Sequence, residues 1–371
     1  MNSRTEFTLK SSSPTELPQE AKVKKRAKLS SPIKIFLIVF ILSLPFWWEI
    51  NILEEKLKSF FYWREIAENP QFLAAQANQL ILEQKLRNLE PFRNKNIPDL
   101  EIEAKSAISV LSDNEGKEKV LFEKENNQKL PMASLTKLMT AWVVLEYYDL
   151  SKEIIISKLA ANQYGDIRRL EEGRTFPVKY FLYPLLMESS NGAAFALAND
   201  YEEMSERNFV ELMNQEAKKI GLNDTFFNNP SGLDPEDSKT EMNYSTANDL
   251  VKLTKKLLEK PLIWDILSIP RYSEYGPELI NTNRFLLKED ESSSQPFAAA
   301  RVIDDPADWQ EKIIGGKTGY TDKAGGCLLL VIKAPRNQGF LISIILGADG
   351  KENRFEEMRK LIDWLNQAYK W

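Results

Sequence analysis

Histidine is missing from this chain altogether, and cysteine occurs once, at Cys327. Without imidazole there is no Ser-His-Asp triad and no Cys-His pair. Zinc chemistry, which draws on imidazole and thiolate ligands, is nearly closed off. A single thiol forms no intrachain disulfide and says nothing firm about redox compartment. A basic excess is missing too, since the formal charge of −5 argues against general nucleic-acid binding. Carboxylate-held Mg or Ca is possible in principle, but no EF-hand or similar loop appears. What remains is 371 residues, enough to bury a sizeable core as one large domain or two small ones. Any nucleophile here is activated by something other than imidazole.

Residues 1–32 are rich in Ser, Pro, Glu and Lys and poor in apolar side chains, which reads as a disordered tail. Six basic residues and no acid lie between Lys22 and Lys34, and an uncharged run, "IFLIVFILSLPFWW", follows at 35–48. Ile33 and Ile50 to Leu53 extend it toward the about 20 residues a bilayer requires. Trp47 and Trp48 suit an interface, and their bulk stands where a signal-peptide cleavage site needs small residues. The expectation is an uncleaved single-pass anchor over 33–53 with the basic tail in the cytosol, followed by a helical stalk over 54–90. From 91 to 371 the chain reads as globular. Alternation on both sides of "DNEG" predicts a β-hairpin, and residues 134–147 carry apolar side chains at helical spacing. After residue 312, "GGKTGYTDKAGGCLLLVIKAP" and "GFLISIILGADG" read as two more strands, and an amphipathic helix closes the chain. Strands at both ends with helices between them predict an antiparallel sheet whose first and last segments meet.

Within "LPMASLTKLMT" a serine and a lysine stand three apart, Ser134 and Lys137. Positions i and i+3 share a helix face, so the amine reaches the hydroxyl. Burial and a helix N-terminus both disfavour the ammonium, and a lysine neutral enough to take a proton is the base a serine needs without histidine. The same spacing recurs at Ser31 and Lys34 beside the membrane run, where no catalytic surroundings exist. The second piece is "MESSNGAA", with Ser189 to relay a proton and Asn191 to hold a substrate amide and the lysine. Its literal look-alike, Ser112, Asp113 and Asn114, falls in the predicted hairpin turn and is ordinary turn chemistry. The third is "GGKTGYT", where Lys317 and Thr318 at a strand edge can bind a carboxylate and Gly319 lets a ligand backbone lie close. The amide of Tyr320 can join that of Ser134 as an oxyanion hole.

Ser-x-x-Lys, Ser-x-Asn and Lys-Thr-Gly in this order resemble the signature of penicillin-binding proteins and serine β-lactamases. In detail the chain resembles the D-alanyl-D-alanine carboxypeptidases of peptidase family S11. The resemblance extends through "LYPLLMESSNGAAFALA", "FVELMNQEAKKIGLNDTFFNNPSGLD" and "YSTANDLVKLT", from about residue 103 to the C-terminus. It implies an α/β (α+β) fold of the serine β-lactamase/DD-peptidase kind, an antiparallel sheet flanked by helices plus a helical subdomain. Position by position, it implies Ser134 as acylated nucleophile, Lys137 as general base, Ser189 and Asn191 in proton relay and amide binding, and Lys317 and Thr318 on the terminal carboxylate of a D-Ala-D-Ala stem peptide. β-Lactams would acylate the same serine. No cofactor or metal is implied; the partners are peptidoglycan stem peptides, β-lactams and, through the N-terminal helix, the cytoplasmic membrane of a bacterium, with the catalytic domain on its outer face. Sister readings are a D,D-endopeptidase, a β-lactamase and a non-catalytic wall-binding protein; the intact motif set argues against the last. The chain stops after the last helix without the β-rich C-terminal domain and amphipathic C-terminal anchor of many members, so the N-terminal segment is expected to supply attachment. A polar stretch over roughly 288–311 is longer than usual for the family and is expected either to lip the cleft or to be a solvated insertion.

Overall fold

A computed structural model of the chain describes residues 91–166, 170–237, 239–274, 276–287, 309 and 312–371, with 40, 53, 54, 56–58 and 78 besides. The chain divides into two units, Met1–Ile81 and Leu82–Trp371. The described residues of the first are helical, with an ion pair between Glu54 and Lys58 one turn apart. The expected tail, membrane segment and stalk otherwise lie outside the described residues, as does the 288–311 stretch apart from Trp309. Among the described residues no helix is long and apolar enough to cross a membrane.

The second unit is built on a five-stranded antiparallel sheet. Its first hairpin is β1 (Ala104–Ser112) and β2 (Glu118–Lys124). The turn between them is the "DNEG" segment, where Asp113 Oδ1 accepts from the backbone N–H groups of Glu115 and Lys117 at 2.9 and 2.8 Å. Then come α1 (Lys137–Tyr147), α2 (Asn191–Asn199), α3 (Glu206–Ile220), α4 (Ala247–Leu258) and α5 (Pro261–Leu267). The chain returns to the sheet through β3 (Ile313–Thr321), β4 (Gly325–Lys333) and β5 (Phe340–Ala348), and α6 (Asn353–Ala368) follows. Spatial order is β3-β4-β5-β1-β2. The first and last strands therefore pair as expected, with Ile344 opposite Ile108 and Ser343 opposite Ser109.

Period-two alternation sends side chains to both faces of the sheet. Ile108, Val110, Leu329, Val331, Ile342 and Ile344 join the core shared with α1 to α5. Ala107, Leu111, Leu328, Leu330, Ile332 and Ile345 meet Phe355, Met358, Leu361, Ile362 and Leu365, the apolar stripe of α6. Each such Leu or Ile, fully removed from water, contributes roughly 1.5–3 kcal/mol before entropy is counted.

Two sequence expectations change. The segment from Gly315 to Pro335 is not one strand but β3 and β4, folded back at Asp322–Ala324. Thr321 Oγ1 accepts from the Ala324 N–H at 3.1 Å, and Gly325 takes the left-handed conformation at φ 68° that closes the turn. The C-terminal helix stops at Ala368, because Tyr369–Lys370 pairs as a short strand with Phe92–Arg93.

Candidate active site

The serine–lysine spacing is realised through a tighter turn than the α-helix expected from residue 134. Ala133–Thr136 form a single 3₁₀ turn, and α1 begins only at Lys137. In 3₁₀ geometry i and i+3 eclipse, which brings the two side chains together directly. The turn starts from strained backbone, Ala133 at φ 47°, and its carbonyl is gripped by the Thr136 hydroxyl, which donates at 2.8 Å. Asn243 donates in turn to Thr136 Oγ1 at 3.0 Å. At Gly232 a Cβ would stand 2.0 Å from the Ala133 carbonyl oxygen, so only glycine lets that loop close on the turn.

Ser134 is half-buried and Lys137 fully so. The Lys137 amine donates to Asn191 Oδ1 at 2.8 Å and to the Ser231 carbonyl at 2.7 Å, with Ser134 Oγ at 3.1 Å. Asn191 is oriented for this, because its Nδ2 donates to the Tyr164 carbonyl at 2.7 Å. A neutral amine has two hydrogens and one lone pair. Two carbonyl-type oxygens take the hydrogens, which leaves the lone pair to the serine hydroxyl. Burial pushes the Lys137 amine down to about 7, while the negative charge of Asp166 pulls the other way. A proton acceptor poised near neutrality therefore touches a hydroxyl.

Ser189 ends a π-helical turn, Pro184–Glu188, in the left-handed conformation at φ 63°. Such turns and such strain concentrate at functional sites. Its Oγ accepts from Lys317 Nζ at 2.8 Å. Lys317 is buried on β3 and also donates to the Thr318 carbonyl at 2.9 Å. Burial first, then the charges of Lys137 and Arg354, hold its amine well below the ordinary lysine range, so the two lysines lie within electrostatic reach of each other. Thr318 Oγ1 meets Thr282 Oγ1 at 2.7 Å. At Gly319 a Cβ would lie 3.0 Å from the Ser134 backbone nitrogen, which places β3 directly against the serine turn. Arg354 of α6, itself buried, donates to the Gly319 carbonyl at 2.7 Å. Tyr320 is exposed at the outer end, its hydroxyl donating to Asp322 at 3.2 Å. β3 is an edge strand of the sheet, so a ligand backbone can approach along it.

The three motifs thus converge on one place: Ser134, Lys137 and Asn191 in contact, Ser189 and Lys317 in contact, and the Thr318–Tyr320 run alongside. Of the literal look-alike, Ser112 ends β1 and Asp113 and Asn114 lie in the hairpin turn, and Ser31 with Lys34 lies outside the described residues. Sequence reasoning missed Asp166, the Ser231 carbonyl, Thr282, Asn243 and Arg354. Ser231 and Asn243 fall in or beside "NNPSGLD" and "YSTAND", and Arg354 opens the closing amphipathic helix, but no local pattern marks their roles.

Comparison with known proteins gives this arrangement a class. Over residues 93–350 the sequence matches peptidase family S11, D-alanyl-D-alanine carboxypeptidase, and the chain belongs to that family. D-alanyl-D-alanine carboxypeptidase DacF of Bacillus subtilis is 31% identical over 287 residues, 74% of this chain and 65% of that protein, so the chain spans just under two thirds of its length. A D-alanyl-D-alanine endopeptidase of Pseudomonas aeruginosa is 30% identical over 71% of this chain and 77% of that one. Among solved structures, penicillin-binding protein D2 of Listeria monocytogenes in its ampicillin-bound form superposes with a TM-score of 0.57 at 29% identity, over 72% of this chain and 99% of that one. The serine β-lactamase/DD-peptidase-like fold expected from the motifs is the fold the chain adopts.

Proposed function

We propose that this chain is a serine D-alanyl-D-alanine carboxypeptidase that removes the terminal D-alanine of peptidoglycan stem peptides and is acylated by penicillin at the same serine. The observation that carries the reading is the Lys137 amine, buried, pushed down to about 7 and spent on two carbonyl oxygens, with its remaining valence on Ser134 Oγ. In this reading Ser134 Oγ attacks the carbonyl carbon of the penultimate D-alanine as Lys137 takes its proton. The oxyanion faces the backbone N–H groups of Ser134 and Tyr320. The peptide C–N bond breaks as the leaving amine is protonated through Ser189, and D-alanine departs. Water then adds to the ester, Lys137 again accepting the proton, and the shortened peptide leaves with Ser134 restored. Lys317 and Thr318 receive the terminal carboxylate. That anion supplies a counter-charge to Lys317, whose ammonium form the cationic Lys137 and Arg354 disfavour. Asn191 holds the substrate amide.

Incubation with a D-Ala-D-Ala-terminated pentapeptide tests this. Wild type is expected to release D-alanine and Ser134→Ala none; release by the variant would place the nucleophile elsewhere. Endopeptidase action on cross-links is a second reading, favoured by the Pseudomonas relative. It uses the same residues and differs only in accepting an acceptor strand beyond the scissile bond, which cleavage of a cross-linked dimer measures. We further propose that residues 33–53 anchor the enzyme in the cytoplasmic membrane, with 1–32 in the cytosol, 54–90 as a stalk and the 91–371 domain outside. The support is the uncharged run at 35–48 beside the basic stretch from Lys22 to Lys34.

A further inference from the structure

The loop carrying Tyr164 and Asp166 crosses the start of α2, and two of its groups take hold of the same residue. The Tyr164 carbonyl accepts from the Asn191 side-chain amide at 2.7 Å. The Asp166 carboxylate accepts from the Asn191 backbone N–H, from the Gly192 N–H at 3.0 Å and from the Ser190 hydroxyl at 2.7 Å. Ser190 Oγ in turn accepts from the Ala193 N–H at 3.0 Å, so the carboxylate and the hydroxyl together satisfy the free donors of the first turn of α2. The fit is tight: a Cβ at Gly192 would stand 2.9 Å from Asp166 Oδ2. Asn191 then reaches Lys137 with its Oδ1 at 2.8 Å, completing a chain from Asp166 through α2 to the amine.

We propose that Asp166 is a positioning residue for the reaction: it fixes Asn191 against Lys137 and supplies the negative charge that faces that amine. Three accepted hydrogen bonds commit the carboxylate to this task and leave it unsuited to activating water itself. Among the described residues, the charged groups around Lys137 are Asp166 from this loop and Lys317 from β3, with Arg354 of α6 behind Lys317; α1 and the 229–233 loop bring hydroxyls and carbonyls. Asp166 is the one that opposes burial and favours the ammonium. Removing its charge therefore makes Lys137 easier to deprotonate, while removing its hydrogen bonds loosens Asn191. These two effects have opposite signs on the rate below neutrality, which makes them separable.

The inference rests on Lys137 acting as the base of the proposed reaction. The experiment is the rate of acylation by a labelled penicillin as a function of pH for wild type, Asp166→Asn and Asp166→Glu, on the 91–371 domain within the full chain. Asp166→Asn is expected to move the rising acid limb down by roughly one pH unit and to lower the plateau. Asp166→Glu, which keeps the charge, is expected to return the limb to the wild-type position. A lowered plateau with the limb unmoved would mean Asp166 serves structure only and overturns the proposal, as would an unchanged profile. Should Asp166→Asn not fold, Asp166→Ser, smaller and equally neutral, carries the same reading. Failure of wild type to label at any pH would count against the function itself; a labelled wild type with an unmoved variant counts against Asp166 alone.

Discussion

Lys137 is as buried as any leucine in the core, yet none of its three hydrogen-bond partners is a carboxylate. A buried ammonium so placed is costly, and the group sheds its proton instead. Activity follows with a definite sign. In the proposed reaction only the neutral amine accepts the Ser134 proton, so acylation is expected to rise with pH around a midpoint near 7, and a rate profile with labelled penicillin checks it. Lys137→Ala is expected to lose labelling while circular dichroism stays native. Stability moves with the same shift. The unfolded chain keeps the proton up to about 10.5 and the folded one releases it near 7, so the unfolded state binds more protons between those values. Stability is therefore expected to rise with pH across that window for this group, and Lys137→Met is expected to flatten that part of the curve in urea titrations.

Between elements, the decisive contact is β3 against the 3₁₀ turn of Ser134. Gly319 sits where an added methyl would meet the Ser134 nitrogen at 3.0 Å and the Ala133 Cβ at 3.1 Å. Gly319→Ala is expected to push the strand outward, costing about 1–3 kcal/mol of stability in denaturant unfolding. Acylation is expected to fall at least tenfold, since a small misplacement of reacting groups costs on the order of a hundredfold in rate. Equal activity in that variant would separate strand placement from catalysis. At this scale the limits of the sequence become clear. The motif residues are legible because each chemistry is packed into a few consecutive positions: Ser134 with Lys137, Ser189 with Asn191, Lys317 with Thr318. The 3₁₀ turn is not legible, because i and i+3 face each other in an α-helix as well. Asp166, Thr282 and Arg354 act across chain separations that no local pattern marks, and Ser231 acts through a backbone carbonyl that carries no residue preference at all. The Asp322–Ala324 turn is not legible because the group that accepts its hydrogen bond is the hydroxyl of Thr321, a residue that reads as strand.

At the scale of the molecule, β1 near the start of the domain pairs with β5 near its end, so the sheet that presents β3 closes only when both are in place. The candidate active site is assembled from the helical region and this sheet together, Ser134, Lys137, Ser189 and Asn191 from one and Lys317 to Tyr320 from the other. The proposed anchor adds a test of its own: full-length protein labelled with penicillin is expected in the membrane fraction, and a chain lacking residues 1–53 in the soluble fraction with labelling kept. Recovery of the shortened chain in membranes would place attachment elsewhere. The most direct measurement remains chemical. After brief exposure of the full chain to benzylpenicillin, mass spectrometry of the digested protein is expected to find the acyl group on Ser134 and on no other hydroxyl. An adduct on Ser189 or Ser190 instead, or none while the protein is folded, would contradict the assignment of the nucleophile.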